Sequence, residues 1–444
     1  TVVDEAIRSA YASRSVSVVI LPDDLSGQKI EFEGFKTRAL AAIPQKPRLD
    51  EAAVTDVAQQ LKAAKHPILW VGQGARRAKT AVIKVAEQFN LPTLSTAPAT
   101  GTMPTDHPLF MGSRGRLGTK AAFEVSQAAD LVLFVGTNYP FARYLPGNIK
   151  FIQVNNNLAD LGKQRDADTT VLADANEFLT RLAETGVTRQ ETAFVKAAKQ
   201  DKANWDTWLA KLAADDHDGL AAEGVMAAIK AAATNDAVFG LDVGNNTEWA
   251  IRQLPFNHAQ RFAMSAWYGT MGFGMPAGLA AKLSYPDKQV WSISGDGGFA
   301  MVMPDILTEV KYQLPVVNVV LENKALGYIG HEKIVAGQAP YGIDLVGADW
   351  AGMAENMGAI GFKATNLAEL KVAMDKIATL QANGNTKPII LDAKIKNVDP
   401  IDTSFVPVDP DSFDAKMIAG YRQQYAVDEA TQPAFSTLLK QVKD

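Results

Sequence analysis

The chain has no cysteine and only five histidines among its 444 residues. A chain without cysteine forms no disulfides and performs no thiolate chemistry, which suits a cytoplasmic protein. The histidines show no ligand spacing, so a zinc site is not expected. The net charge of -5 gives no basic footprint for nucleic acid. The longest apolar runs span about eight residues and no signal peptide is evident, so we expect neither membrane insertion nor export.

The composition is that of a soluble globular protein, with 47% apolar and 21% charged residues. At roughly 150 residues per domain, the length predicts about three domains. Helix and strand patterns alternate over 44–186 and again over 219–400, which predicts an α/β fold with two doubly wound parallel sheets. A helical linker, 187–218, connects the two regions. We expect its Trp205 and Trp208 to be packing residues rather than ligand contacts.

Short apolar runs bounded by turn residues predict the strands of both sheets. They are 67–71, 92–95, 131–135, 151–154 and 169–172 in the first region, and 237–242, 261–264, 290–294, 316–321 and 388–391 in the second. Before them, 1–12 is predicted as a helix and 16–21 as a buried strand, and one helix and one strand cannot bury each other. We therefore expect 1–43 to be the remnant of a further domain with its linker. The tail, 401–444, is expected to pack rather than to carry chemistry.

The most informative motif is Gly295-Asp296-Gly297-Gly298, which follows one predicted strand, while Asn323 follows the next. Ligands of doubly wound sheets bind at the carboxyl ends of the strands, where glycines let the backbone approach a phosphate. A carboxylate and an amide oxygen are hard ligands of the kind that Mg²⁺ prefers. The motif therefore predicts a magnesium ion held against a diphosphate. The alternative is an ordinary tight turn, which most Gly-Asp-Gly tripeptides form.

Loops at predicted strand ends in the first region indicate a nucleotide site. Gly72 to Arg77 is a strand-to-helix turn that suits a diphosphate, although Arg77 stands where a dinucleotide fingerprint has its third glycine. Small and polar residues also follow the next strands at 95–101 and 136–141. Their meeting at one sheet edge would form a nucleotide crevice. A plain turn without a ligand remains the alternative.

These motifs resemble the thiamine diphosphate enzymes of the pyruvate oxidase and acetolactate synthase family. The resemblance extends along the whole chain and is strongest over 66–142 and 237–332. It implies thiamine diphosphate, Mg²⁺ and FAD as cofactors, with 44–186 as the FAD domain and 219–400 as the thiamine diphosphate domain. Asp296 and Asn323 would bind the metal through side chains and Ala325 through its carbonyl. Glu322 replaces the first residue of the family's Asn pair.

The resemblance assigns thiamine and substrate roles within the second region. Met271 would wedge between the rings, although a methionine in an apolar segment is ordinarily core. The Gly269 carbonyl would accept from the aminopyrimidine. Tyr328 would lie between thiamine and flavin, and Glu332 near the substrate, where it could transfer a proton if it is not simply a solvated glutamate. The remaining expected contacts to thiamine diphosphate or the reacting carbon are Asp242, Val243, Gly244, Asn245, Gly297, Gly298 and Ile329.

For FAD, the resemblance assigns phosphate or ribose contacts to Arg76 and Arg116, and the ring system to Asn138, Tyr139 and Pro140. The other implied FAD residues are Gly74, Ala75, Ser95, Thr96, Ser113, Thr137, Asn155 and Asp174. Two departures stand out. The family has acidic residues near the adenosine end, whereas this chain has Asn at 155–157, and the loop 333–340 has lost much of the family's acidic character.

The family reaction is the oxidation of pyruvate with phosphate and O₂ to acetyl phosphate, CO₂ and H₂O₂, by a homo-oligomer built as a dimer of dimers. Runner-up enzymes are an acetolactate synthase-like carboligase and a pyruvate:quinone oxidoreductase, the latter disfavoured because the tail lacks an amphipathic membrane helix. In the resembling family an amino-terminal domain carries the activating glutamate; we expect 1–43 to be only the last part of such a domain, since no residue here can be assigned that role. A silent cofactor-binding fragment or paralogue is therefore the alternative from another class.

Overall fold

The computed structural model describes residues 2–13, 15–31, 34, 47–139, 141, 144–147, 149–257, 259–335, 338 and 341–400. The predictions for Pro140 and for the tail 401–444 lie outside these residues, as does most of the predicted linker before Pro47.

Helices and strands alternate through most of this part of the chain. The α-helices are α1 (Val2–Ser13), α2 (Asp23–Ser26), α3 (Glu51–Ala63), α4 (Lys79–Phe89), α5 (Lys120–Ala128), α6 (Ala175–Glu184), α7 (Ala193–Ala214), α8 (Ala222–Ala232), α9 (Asn245–Gln253), α10 (Gly274–Ser284), α11 (Asp296–Val302), α12 (Ile306–Lys311), α13 (Gly327–Val335), α14 (Trp350–Asn356) and α15 (Leu367–Ala382). The strands are β1 (Pro67–Val71), β2 (Thr93–Ser95), β3 (Phe110–Ser113), β4 (Leu131–Val135), β5 (Lys150–Asn155), β6 (Thr169–Leu172), β7 (Val238–Leu241), β8 (Arg261–Met264), β9 (Val290–Gly295), β10 (Val317–Glu322), β11 (Ile360–Ala364) and β12 (Ile389–Lys394).

The strands form two six-stranded sheets, in the orders β3-β2-β1-β4-β5-β6 and β11-β12-β10-β9-β7-β8. Every strand pair in both sheets is parallel. The predicted fold class, α/β with two doubly wound parallel sheets, is confirmed. The sequence did not predict the edge strands β3 and β11.

Helices cover both faces of each sheet, which explains why the central strands are apolar throughout rather than alternating. In β1, Ile68 and Trp70 join one apolar cluster while Leu69 and Val71 join another on the opposite face. Asp174 accepts hydrogen bonds from the amides of Asn176 and Glu177, and so caps the start of α6.

The long helix α7 bridges the two sheets, because it packs against α5 of the first and α8 of the second. Trp205 and Trp208 form a buried cluster with Ala121, and their ring centroids lie 5.2 Å apart. The prediction that these tryptophans are packing residues is confirmed.

Two local predictions were wrong. Residues 16–21 are extended but pair with no strand among the described residues, and Val16, Val18 and Ile20 are about 80% exposed or more, at 87%, 79% and 84%. An apolar run becomes a strand only where a neighbouring strand satisfies its backbone. The apolar spacing of 299–313 also predicts one helix after the Gly295–Gly298 motif, whereas the observed helix begins earlier, at Asp296, and is divided by a 3₁₀ turn, Met303–Asp305. Pro304 lacks the amide that a continuous helix needs there.

Ligands of doubly wound sheets bind where the strand order reverses. Such a reversal lies between β1 and β4 in the first sheet and between β7 and β9 in the second, where β12 also returns to lie between β10 and β11. The predicted glycine-rich loops follow these same strands. Within the described part of the chain, the helices are all too short or too polar to cross a membrane.

Candidate active site

A cavity of about 340 Å³ opens at the carboxyl ends of β7, β9 and β10. It contains nearly every residue predicted for thiamine diphosphate and its metal. Those lining it are Val243, Gly244, Asn245, Gly269, Met271, Asp296, Gly297, Gly298, Asn323, Ala325, Tyr328, Ile329 and Glu332. Asn246 and Trp249 of α9 also line it and were not predicted, because the sequence motif ends at Asn245.

The donor set suits one magnesium ion. Asp296 is 3% exposed, and burial together with the nearby Glu322 raises the pKa of its carboxyl to about 6. Its Oδ2 accepts the amide of Lys324 at 2.9 Å, which draws the loop carrying Asn323 and Ala325 toward it. A buried carboxylate with an acidic neighbour is stabilised by a divalent cation, and the amide and carbonyl oxygens are of the kind that magnesium prefers. Asp296, Asn323 and Ala325 therefore fit the predicted ion.

Asp242 lies beneath the cavity rather than on its wall. Its Oδ1 accepts the amides of Val243, Gly272 and Phe273, at 2.7, 2.8 and 3.1 Å. Burial raises the pKa of this carboxyl. A β-carbon at Gly298 would lie 2.5 Å from Oδ2 of Asp242, so only glycine allows this close approach. Asp242 therefore holds the surrounding loops together.

Residues just beyond the second sheet reach into the cavity region. Asn323 Nδ2 donates to Asn397 Oδ1 at 3.2 Å, and Asn245 Nδ2 donates to Asp399 Oδ1 at 2.7 Å. These contacts were not predicted, because the segment after β12 is polar and carries no motif.

A buried ionic cluster explains the unusual Glu322. This side chain is 1% exposed and pairs with Lys394 of β12 at 2.6 Å. Lys394 also pairs with Asp392 at 3.0 Å and donates to the Ala348 carbonyl. One lysine thus stands between two buried carboxylates, next to the predicted metal ligand Asn323.

A larger cavity, of about 690 Å³, opens at the carboxyl ends of the first sheet. That volume is in the range of cofactor pockets. The residues predicted for FAD that line it are Gly74, Thr96, Ser113, Arg116, Thr137, Asn138, Tyr139 and Asn155. Two of its loops touch backbone to backbone: a β-carbon on Gly74 would lie 2.9 Å from the Gly136 carbonyl, and one on Gly136 would lie 2.8 Å from the Ala75 amide.

Four predicted FAD residues do not line this cavity. Ala75 and Ser95 are buried behind the wall. Arg76 lies over the ring of Phe262, 5.1 Å from its centroid, and Asp174 caps α6. These residues shape the loops around the cavity.

Sequence reasoning missed an acidic residue in the larger cavity. Asp160 lines it and accepts from Nδ2 of Asn138 at 3.2 Å and of Asn157 at 3.0 Å. Asp160 lies in a 3₁₀ turn, Leu158–Asp160, five residues after Asn155, where the sequence shows only three asparagines in a row. The second sheet also contributes the segment 264–268, including the exposed Trp267 and Tyr268.

The two cavities adjoin at α13. Tyr328 and Glu332 line both of them, as do Val243, Gly244 and Gly269. Arg116 of the first domain stacks on Tyr328, 3.9 Å from the ring centroid, and pairs with Glu332 at 2.6 Å. Burial raises the pKa of Tyr328, so its phenol stays protonated near neutral pH. Glu332 is half-exposed, at 53%, and its observed partner is an arginine.

Two doubly wound domains with adjoining cavities, one with magnesium-type oxygen donors, define a class of cofactor-dependent α/β enzyme. Residues 54–182 match the thiamine pyrophosphate enzyme central domain, and residues 242–393 match the thiamine pyrophosphate enzyme C-terminal TPP binding domain. The chain belongs to the thiamine pyrophosphate enzyme family that includes pyruvate oxidase and acetolactate synthase. The resemblance found in the sequence is thus confirmed.

Relatives cover most of the chain. Pyruvate oxidase of Lactiplantibacillus plantarum is 35% identical over 445 residues, covering 99% of this chain and 73% of the relative. Protein YdaP of Bacillus subtilis is 35% identical over 398 residues, covering 90% of this chain and 68% of its own length. Acetolactate synthase isozyme 1 large subunit of Escherichia coli is 30% identical over 346 residues, covering 75% of this chain and 59% of the relative.

Proposed function

We propose that this chain carries the catalytic domains of a pyruvate oxidase, which converts pyruvate, phosphate and O₂ to acetyl phosphate, CO₂ and H₂O₂. The observation that carries the proposal is the adjoining pair of cavities, which share Tyr328 and Glu332. An oxidase of this kind needs its decarboxylating cofactor close to its electron acceptor. The relative named pyruvate oxidase, aligned along 99% of the chain, supports the same reaction.

The proposed cofactors are thiamine diphosphate and Mg²⁺ in the smaller cavity and FAD in the larger. When bound, thiamine diphosphate supplies carbanion chemistry and FAD accepts two electrons. Asp296, Asn323 and Ala325 would hold the metal. The remaining thiamine contacts would be Val243, Gly244, Asn245, Gly269, Met271, Gly297, Gly298, Tyr328 and Ile329.

The residues at the junction of the cavities have distinct proposed tasks. Tyr328, kept neutral by burial, would separate the two cofactors and exclude water. Glu332 would hold Arg116, which forms part of the larger cavity's wall. A half-exposed glutamate that is ion-paired with an arginine is suited to this positioning role.

An acetolactate synthase-like carboligase is the second candidate, favoured by the relative that is 30% identical over 75% of the chain. Both enzymes would take pyruvate, so the product distinguishes them. Analysis of the products also distinguishes the oxidase from a quinone-dependent enzyme and from a silent cofactor-binding protein.

The test mixes the protein with thiamine diphosphate, Mg²⁺, FAD, pyruvate and phosphate in air. H₂O₂ and acetyl phosphate in equal amounts would support the oxidase. Acetolactate without H₂O₂ would favour the carboligase, and oxidation that requires an added quinone would favour the quinone enzyme. Cofactor binding, measured separately by flavin absorbance, without any product would favour the silent protein.

We also propose a homo-oligomer, arranged as a dimer of dimers. Trp267 and Tyr268, at the larger cavity, are 69% and 93% exposed, which is unusual for large aromatic side chains next to each other. Sedimentation velocity of the protein would test this, and a monomer at micromolar concentration would contradict it.

A further inference from the structure

Arg252, near the end of α9, is a buried arginine that reaches from the second sheet's domain to the first. Its side chain is 2% exposed. Nε donates to the Gly118 carbonyl at 2.7 Å, and Nη2 to the Arg116 carbonyl at 3.2 Å. Glu248, one turn earlier on α9, lies 3.4 Å from the same guanidinium. A planar guanidinium can hold two carbonyls at fixed angles, which lysine cannot.

The loop that Arg252 holds is also held from the other side. The Arg116 side chain stacks on Tyr328 and pairs with Glu332, both on α13. Its Nη2 donates to the Tyr328 carbonyl at 3.3 Å. Residues 116–118 are thus clamped between α9 and α13, and Arg116 and Leu117 form part of the larger cavity's wall.

Both clamping helices begin in the smaller cavity. Asn245 and Asn246 of α9 line it, as do Gly327 and Tyr328 of α13. Residues 245–251 of α9 are all buried, so this helix moves as one body with its surroundings. A ligand that fixes the start of α9 therefore also fixes Arg252, about 10 Å further along the helix.

We propose that Arg252 is a positioning residue that ties the loop 116–118 to α9, so that filling the smaller cavity orders this wall of the larger one. That thiamine diphosphate fills the smaller cavity rests on the family assignment. That the ordered wall belongs to a flavin site rests on the proposed function. Binding in the smaller cavity would then strengthen flavin binding in the larger.

Hydrogen–deuterium exchange of the full chain tests the loop directly, without flavin. Thiamine diphosphate with Mg²⁺ is expected to slow exchange at the amides of 114–119 about fivefold. In Arg252→Met this ligand-dependent slowing is expected to disappear, and in Arg252→Lys to be partial because one bond can remain. Slowing of wild-type size in Arg252→Met, or none in the wild type, would overturn the proposal.

Arg189→Met is the matched control. Arg189 is also buried and donates to two backbone carbonyls, of Ala64 and Lys65, at 3.1 and 2.7 Å, but it lines neither cavity. The Arg189→Met variant should be less stable than the wild type but should keep the slowing of amide exchange by thiamine diphosphate at 114–119. If Arg189→Met loses the slowing as well, the effect is general loosening and the positioning role is wrong.

Flavin titration, followed by absorbance, separates this inference from the proposed oxidase. Thiamine diphosphate with Mg²⁺ should raise the flavin affinity of the wild type about tenfold. In Arg252→Met the flavin affinity should be the same with and without thiamine diphosphate. Slower amide exchange at 114–119 without any flavin binding would contradict the proposed oxidase but would support the positioning role of Arg252. Flavin binding that is indifferent to thiamine diphosphate, together with an unchanged loop, would defeat the positioning role alone.

Discussion

The position of Asp296 could be predicted from the sequence, but its environment could not. The position after β9 was predictable because glycines surround Asp296 in a strand–loop–helix pattern, and Asn323 follows the next strand. The burial of Asp296 and its raised pKa were not predictable, because they depend on Glu322 and on the loop at Lys324 that packs over the carboxylate. Asp160, which lines the larger cavity, and Asp399, which accepts a hydrogen bond from Asn245, were missed for a related reason: each lies in a segment without a motif.

Asp296→Asn should weaken the binding of thiamine diphosphate with Mg²⁺ by about a hundredfold, because the only carboxylate among the proposed metal ligands loses its charge. Calorimetric titration measures the affinity. Asp287→Asn, an exposed site, is the control and should bind as the wild type does. Equal affinities for all three proteins would remove Asp296 from the metal site.

Glu309 gives a prediction about pH. Burial raises the pKa of this carboxyl to about 8, and Asn318 donates to it at 2.8 Å. The pKa of Glu309 is higher in the folded than in the unfolded protein, so the neutral carboxyl costs the fold nothing below about pH 4.5, and this stability is lost as the pH rises through about 8. The free energy of unfolding of Glu309→Gln should therefore exceed that of the wild type by a few kcal/mol at pH 9 and by little at pH 4.5.

Urea unfolding across this pH range would check the Glu309 prediction. The exposed Glu355→Gln should follow the wild type at every pH. A stability difference between Glu309→Gln and the wild type that is constant with pH would contradict it.

At the scale of elements, the interior strands were predictable and the two missed strands lie at sheet edges. β3 is short, contains Gly112, and pairs with β2 through a register shift. β11 is only partly buried along most of its length, so its pattern differs from the apolar runs of the centre. The edge strands β6 and β8 were predicted, so the two misses follow from the glycines that interrupt the apolar runs of β3 and β11, Gly112 and Gly361.

The pairing of β10 with β12 brings Glu322 and Asp392 to one lysine. Lys394→Met should cost about 3–5 kcal/mol near neutral pH, because two buried carboxylates lose their cation. Burial raises the pKa of the Asp392 carboxyl, so protonation of this carboxylate should make the loss smaller at low pH. Chemical denaturation at pH 5 and pH 8 measures both effects.

Lys371→Met is the control for this pair of strands. Lys371 forms an ion pair of 2.6 Å with Asp375, but both side chains are well exposed, at 75% and 67%. Exposed pairs contribute little, so this variant should stay near the wild-type stability. A loss equal to that of Lys394→Met would mean that burial is not the cause.

At the scale of the whole molecule, two similar sheets are joined by a helix and by direct contacts between loops. Thr105 of the first region donates to Pro255 and Asn257 of the second, at 2.5 and 2.8 Å. Helix α7 packs on α5 and α8; its tryptophans cluster with Ala121 of the first region, and the Arg252 guanidinium of the second lies 5.9 Å from the Trp205 ring centroid. The alternating pattern predicted each sheet, but it contains no signal for how the two meet, because interdomain contacts come from scattered loop residues.

Trp205→Ala should therefore separate the unfolding of the two domains. Trp205 is 2% exposed, and its removal should cost about 3–5 kcal/mol. Scanning calorimetry is expected to show one transition for the wild type and two for the variant. Tyr312→Ala, at a side chain 58% exposed, should keep the single transition. A single, lowered transition in Trp205→Ala would show that the domains are joined elsewhere.

The contact between Gly74 and Gly136 restricts how this protein can change over time. Each glycine fills the space that a side chain on the other would need, and Gly136 also has a positive φ of 72°. A larger residue at one position cannot be compensated at the other, since both are already the smallest residue available. Chimeras that exchange segments with relatives should therefore keep both turns.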